Sequence, residues 1–253
     1  TAALAAVFMP AAMAQPKVLL RISSPAVPDD WHAKMWSVFK ESLDKSAPGE
    51  FEVQINLNAS LFKQGTESAA MARGNLELAS ISAFDIAKLV PEFSIFTAGY
   101  IIRDPQHQQR VFNGPIGEEL FKLVAEKMDV TVLATAYLGT RQLNLRELRT
   151  VRTPADLKGV KLRSYSAITS RFAELAGATP VLVAAPEVAQ AFRTGMIDAQ
   201  INSSAGGVDT QTWDSTTHFY GLQLIMPQNI VIVNKASFAK LDAAPQEAIR
   251  DAA

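Results

Sequence analysis

The chain has 253 residues, 48% hydrophobic and 19% charged, enough to bury a core in one large domain or two modest ones. Its formal net charge is -1 and its basic residues are scattered, which leaves no electrostatic footprint for nucleic acid or an anionic membrane surface. The absence of Cys excludes a disulfide scaffold, a thiol nucleophile and a cysteine metal site.

The N-terminal stretch TAALAAVFMPAAMAQPKVLL is Ala-rich and uncharged up to Lys17, and it reaches Ala12-Met13-Ala14 before Gln15, the small-x-small pattern of a signal-peptidase site. It is too short and too weakly apolar to span a bilayer. Residues 1–14 are therefore expected to be the remnant of a cleaved signal peptide whose basic start is missing, with the mature protein in the periplasm. A packed or disordered N-terminal helix is the alternative. The lack of Cys suits an exported protein large enough to need no disulfides.

Lys17 to Ile22 reads as a strand, and after Pro28-Asp29-Asp30 the apolar positions Trp31, Met35, Val38 and Phe39 follow helical spacing, with Asp29 or Asp30 as N-cap. Residues 51–58, FEVQINLN, alternate as a strand; a polar helix is expected over 63–72 and a short apolar run over 76–81. Gly117 to Lys127 is amphipathic through Leu120, Phe121 and Val124, and leads into the strand Val130 to Ala134.

The second half repeats the rhythm. Thr153-Pro154 opens a one-turn helix ended by Gly159, Val160 to Arg163 is a strand, and a helix over 167–176 ends at Gly177. Thr179 to Val183 is a strand, Pro186 begins a helix through Val188, Ala191 and Phe192 that Gly195 terminates, and Met196 to Gln200 is the next strand. This βαβ alternation argues an α/β fold with mainly parallel sheets and no flexible linker.

Enzyme signatures are largely missing. His32, His107 and His218 stand far apart, with no HExxH pairing, calcium loop, P-loop, GxGxxG or GxSxG. Ser203-Ser204-Ala205-Gly206-Gly207 reads as a turn after a strand. His32 beside Asp30 reads as a surface histidine at a helix start, because near neighbours on a helix diverge.

The ordered segments AYLGTRQ, TPADLKGVKLRSYSA, LAGATPV, PEVAQAFRTGMIDAQ and WDSTTHFY, between Ala136 and Tyr220, resemble the solute-binding proteins of tripartite ATP-independent periplasmic (TRAP) transporters, the DctP-like family. The likeness is weaker over 17–135. It implies a two-lobe periplasmic binding-protein fold, with a ligand cleft between two mixed sheets, that delivers an organic acid to membrane permease subunits driven by an ion gradient. It further implies one lobe from 15–140 and 229–253, C-terminally truncated because the family runs beyond this point, and a second lobe from 141–228. It implies no enzyme activity, no cofactor, no metal and no nucleic-acid partner, and a monomer is expected.

In that family the arginine after K-L grips the ligand carboxylate, which here is Arg163. The residue chemistry agrees: a guanidinium at the C-terminal end of a sheet strand points into the crevice where open α/β sheets bind ligands, and its planar fork matches both carboxylate oxygens. A salt bridge to Asp156 or Glu187 is the structural alternative. Arg141, in GTRQ, matches the position of a second family arginine and contacts either the ligand or the other lobe. Asn202, in D-A-Q-I-N, matches the family's ligand-touching asparagine, and its amide can donate and accept; capping the following turn is the alternative. Trp213 offers an apolar or stacking wall, with core packing as the alternative.

Where the sialic-acid branch carries a cleft glutamate, LELASIS followed by Ala83 offers Ser80 and Ser82, which suggests a smaller or less hydroxylated mono- or dicarboxylate. Ser164-Tyr165 replaces the frequent Val-Pro after the arginine. Two other classes stay open: a periplasmic enzyme whose Asp198 and His218 converge on a substrate, and a ligand-binding sensory subunit for a membrane receptor.

Overall fold

The computed structural model describes residues 17–253 apart from 138, 148 and 149, so the expected signal-peptide remnant lies outside the described residues. The first half runs β1 Val18–Ser23, α1 Trp31–Ser46, β2 Phe51–Asn56, α2 Glu67–Ala72, β3 Leu78–Ser82, α3 Ala83–Ile86, α4 Pro105–Phe112, α5 Pro115–Met128 and β4 Val130–Tyr137. The second runs β5 Arg141–Leu145, β6 Lys161–Ser164, α6 Ala167–Leu175, β7 Thr179–Leu182, α7 Val188–Arg193, β8 Ala199–Ser203, α8 Ser204–Asp209, β9 His218–Tyr220, β10 Gln228–Asn234, α9 Lys235–Ala239 and α10 Ala243–Ala252. Among the described residues no helix is long and apolar enough to cross a membrane.

The strands form two five-stranded sheets, ordered β2-β1-β3-β10-β4 and β7-β6-β8-β5-β9. In the first, β1 is parallel to β2 and β3, while β10 is antiparallel to β3 and β4. In the second, β6 is parallel to β7 and β8, while β5 is antiparallel to β8 and β9. Both sheets are therefore mixed, not mainly parallel as the βαβ rhythm suggests. The chain passes from the first sheet to the second between Tyr137 and Arg141, and returns between Tyr220 and Gln228. Strands β5 and β10 thus begin at the side where β3 and β8 end, and must run against them.

Burial follows from this order. Strand β10 is buried along its whole length, with Ile230 and Ile232 packed against Met71, Phe93 and Val124 on one face and Val231 and Val233 against Trp36, Phe39 and Leu43 on the other. A strand covered on both faces reads as a continuous apolar run without alternation. The second sheet packs Leu143, Leu145 and Leu162 against Ala173, with a satellite cluster of Val183, Phe192 and Ile197.

Two local expectations shift. Helix α1 buries Ala33, Trp36, Phe39 and Leu43, while Val38, expected on the apolar face, is 64% exposed; this face is the one that meets both β10 and Ile249 of α10. The strand expected over 196–200 begins only at Ala199, because Met196 and Ile197 donate back to the carbonyl of Ala191 in the turn after α7.

Candidate functional site

Strands β1, β3, β6 and β8 all end at one cleft between the two sheets, which is lined by Ser24, Asp30, His32, Glu67, Ser80, Ser82, Asp85, Arg141, Arg163, Tyr165, Asn202 and Asn229, among others. Ligand sites outside the C-terminal ends of strands are what open α/β sheets provide.

Arg163 lies in β6, one residue before its end. Its Nε donates to the carbonyl of Val183 at 3.1 Å, and its guanidinium sits 4.9 Å from the centroid of the Tyr165 ring. It makes no ion pair with a described residue. Asp156 instead accepts from the amides of Arg152 and Thr153, and Glu187 accepts from the amide of Ala184. Burial pushes the Arg163 guanidinium down to about 10; the Tyr165 phenol opposes this and the nearby Arg141 charge adds to it. It therefore stays cationic near neutral pH.

Arg141 opens β5, and its Nη1 donates to Asn202 Oδ1 at 3.3 Å. The same Oδ1 accepts from the amide of Ser203 at 2.9 Å, whereas the cap of α8 is Ser203, whose Oγ accepts from Gly206. A Cβ at Gly206 would stand 2.9 Å from Asn202 Oδ1, so a larger residue there would push the Asn202 side chain aside. Tyr165 meets Phe84 edge-on at 5.8 Å across the two sheets. Burial raises the pKa of its phenol, against the pull of the Arg141 and Arg163 charges.

The opposite wall is acidic. Asp30 caps α1 by accepting from the amide of His32 at 2.8 Å, and it also accepts from His32 Nδ1 at 2.5 Å. Burial would raise the Asp30 carboxyl, but the His32 hydrogen bond and the His32 and Arg141 charges outweigh it and hold the group below the ordinary carboxylate range. His32 is thus a cleft residue, not the surface histidine expected from sequence; the cap turns its ring back onto Asp30 and against Trp31, 3.7 Å between centroids.

Asp85 accepts from Lys88 Nζ at 2.6 Å and from Ser82 Oγ at 2.9 Å, so the Ser82 hydroxyl is engaged as the cap of α3. Glu67 is 5% exposed. Burial lifts its carboxyl to about 7, despite the backbone amides of Gly65, Thr66 and Glu67 that favour the ionised form; the Asp85 charge adds to the rise.

Two hydrogen bonds tie the walls together: the amide of Trp31 donates to Asp209 Oδ2 at 3.0 Å, and the amide of Ala185 donates to Gln64 Oε1 at 2.9 Å. An adjoining apolar hollow shares Arg141, Arg163, Tyr165 and Ile201 with the cleft and is otherwise bounded by residues such as Ile168, Phe172 and Leu224. The cleft therefore brings together Arg163, Arg141, Asn202 and Ser82. Trp213 is not with them: it is 58% exposed in a separate surface groove with Val208, His218 and Phe219.

Sequence reading missed His32, Glu67, Tyr165 and Asn229. One usable signal existed for Glu67, because the apolar Ala70 and Met71 at i+3 and i+4 put it on the buried face of α2. Asn229 carried none, embedded in an apolar strand.

The model of the bacterial extracellular solute-binding proteins, family 7, matches residues 23–253. A solute-binding protein from Verminephrobacter eiseniae is 29% identical over 247 residues, 96% of this chain and 72% of that protein. Among solved structures, a TRAP periplasmic solute-binding protein from Roseobacter denitrificans with bound 3-deoxy-D-manno-oct-2-ulosonic acid is 34% identical with a TM-score of 0.86, covering 94% of this chain and 78% of that one. A Bordetella pertussis extracytoplasmic solute receptor binding pyroglutamic acid is 27% identical with a TM-score of 0.85, covering 92% and 76%.

Proposed function

Because the chain belongs to the bacterial extracellular solute-binding proteins of family 7, the solute-binding components of TRAP transporters, we propose that it captures an organic acid in the periplasm, after cleavage of a signal peptide, and delivers it to the membrane permease subunits of such a transporter. The observation that carries the reading is Arg163, a partly buried guanidinium in the cleft with no anion beside it among the described residues. Desolvating an arginine is costly until a partner arrives, and a carboxylate can take both forked bonds.

Arg163 is the carboxylate anchor in this reading. Arg141 and Asn202, already hydrogen-bonded to each other, supply a second contact that orients the solute. The acids bound by the Roseobacter and Bordetella relatives support the substrate class. An enzyme built on Asp198 and His218 has less support. Asp198 is consumed by Arg146 and the amide of Lys161, His218 Nδ1 lies beside the Thr217 hydroxyl, and neither lines the cleft.

A thermal-shift screen against organic acids, followed by calorimetry on the hits, tests the reading. Binding raises the melting temperature by mass action. Acids that stabilise the native chain and fail on Arg163→Ala support it; binding that survives the substitution overturns it.

A further inference from the structure

Glu67 is the carboxyl group of the cleft that no cation offsets. It opens α2, lines the cleft and is 5% exposed, and it forms no ion pair with a described residue. The other two acids of that wall are engaged. Asp30 accepts from His32 Nδ1 at 2.5 Å, and Asp85 pairs with Lys88 at 2.6 Å. A Cβ on Gly65, two residues before Glu67, would lie 3.1 Å from Asp85 Oδ1 and 3.5 Å from Lys88 Nζ. The Asp85–Lys88 pair thus stands against the turn that leads into α2, with the ammonium already taken.

The opposite wall carries Arg141 and Arg163, each without a carboxylate partner among the described residues. Both guanidinium groups draw an ionised solute into the same enclosed space that Glu67 lines. Two negative charges would then share a site of low dielectric, where like charges repel strongly and one of them is driven to bind a proton. The solute carboxylate has guanidinium partners and Glu67 has none, so the proton goes to Glu67. Protonation also changes what the group offers: an ionised carboxylate only accepts, whereas the neutral acid carries an O–H that an oxygen of the solute can accept from. Burial already disfavours the ionised form, against the amides of Glu67, Gly65 and Thr66, and the Asp85 charge adds to the effect.

We infer that the cleft binds its anionic solute together with one proton, taken from solvent by the Glu67 carboxyl. This rests on the organic-acid reading above and adds the proton as a second ligand of the same site. The other titratable groups around the cleft come from α1, α3, β5 and β6. Lys88 and Asp85 are joined to each other. Against burial, the His32 hydrogen bond and the His32 and Arg141 charges hold the Asp30 carboxyl below the ordinary range. Burial keeps the Tyr165 phenol above its own range and leaves Arg163 at about 10. His32 is the rival proton acceptor, because its Nε2 is buried at the cleft with no partner among the described residues.

The test is titration calorimetry with four carboxylate probes: pyroglutamate and 3-deoxy-D-manno-oct-2-ulosonate, the acids bound by two relatives, together with D-galacturonate and L-lactate. All four are ionised above pH 6. Each probe that binds is titrated at pH 7.5 in phosphate and in Tris, buffers of small and large ionisation enthalpy, so that the difference in heat counts the protons taken up. The native chain is expected to take up roughly 0.5–0.7 of a proton per solute, and to lose affinity by roughly 10- to 30-fold between pH 6 and pH 8.5. Glu67→Gln, a neutral group of the same size, should take up less than about 0.1 of a proton and hold its pH 6 affinity up to pH 8.5. His32→Gln should keep the uptake.

Equal heats in the two buffers on the native chain overturn the inference and leave the organic-acid reading standing; this measurement decides whether or not a variant folds. Uptake that persists in Glu67→Gln, or that disappears in His32→Gln, also overturns it. If none of the four probes binds at pH 6, the organic-acid reading itself fails and takes the inference with it.

Discussion

The Nε of Arg163 donates to the carbonyl oxygen of Val183 at 3.1 Å. That bond fixes one edge of the guanidinium and leaves the rest of its five donors for the cleft. Arg163→Ala is therefore expected to lower solute affinity by about 30-fold to several thousand-fold, a loss of about 2 to 5 kcal/mol. Arg163→Lys, which keeps the charge but not the fork, should fall between. The solute-free Arg163→Ala protein should melt at the same or a higher temperature, since a desolvated cation has been removed. A lower melting temperature with native affinity would mark a structural residue.

Asp209 of α8 accepts from the amide of Trp31, the first residue of the 16-residue α1, at 3.0 Å. A carboxylate of one cleft wall thus sits at the positive helix end of the other, where such contacts are worth about 0.3–1 kcal/mol and caps about 1 kcal/mol. Asp209→Ala should weaken solute binding by roughly 3- to 10-fold by disfavouring the closed arrangement. Small-angle scattering should show a larger radius of gyration for the variant at subsaturating solute. Identical affinity and profile would remove Asp209 from closure.

Glu67 makes stability fall with rising pH. Its carboxyl is raised to about 7 in the folded chain, above the ordinary value of 4.5, so between these limits the folded state holds more protons than the unfolded one. Stability is full below the ordinary value and is lost as pH rises through about 7. The loss is on the order of 3 kcal/mol. Glu67→Gln should flatten that part of the profile and melt above the native chain near pH 8. Parallel denaturation profiles of the two proteins from pH 5 to 8 would contradict the burial argument.

Asp30 acts with the opposite sign. Its carboxyl is held below the ordinary range, so its contribution is present above that range and disappears as pH falls through the depressed value. As the N-cap of α1, its replacement by Ala should cost about 1 to 2 kcal/mol at neutral pH. The deficit should shrink in acid, because the native carboxylate is then protonated too. A deficit independent of pH would assign it to packing alone.

Much of the fold was legible because its signals are local. The Asp30 cap, the Gly stops after α6 and α7, the Pro before α7, and the short apolar strands all act within three or four residues, where side-chain spacing and backbone φ are decided. Arg163 was legible for the same reason: it sits in a short strand before a turn, and strand ends in α/β sheets face ligand crevices. Strands β5, β9 and β10 were not read from sequence, and the mixed sheet order they create was not legible, since nothing local distinguishes an antiparallel neighbour from a parallel one. The face of α1 was misjudged because both a sheet and α10 cover it.

The sequence by itself determined the α/β alternation, the Gly-marked ends of the helices in the second half and a cation at the end of β6. Only the tertiary structure decided what faces that cation. His32, Glu67 and Asn229 come from α1, α2 and β10, segments far apart in the chain, and reach one cleft because strands β1, β3 and β10 lie side by side. Their chemistry depends on that convergence: burial lifts the Glu67 carboxyl, the His32 hydrogen bond and the Arg141 charge depress that of Asp30, and closure of β10 between two cores leaves the Asn229 oxygen without a protein partner among the described residues. Desolvation and charge proximity are properties of the assembled cleft, so no reading of local pattern contains them.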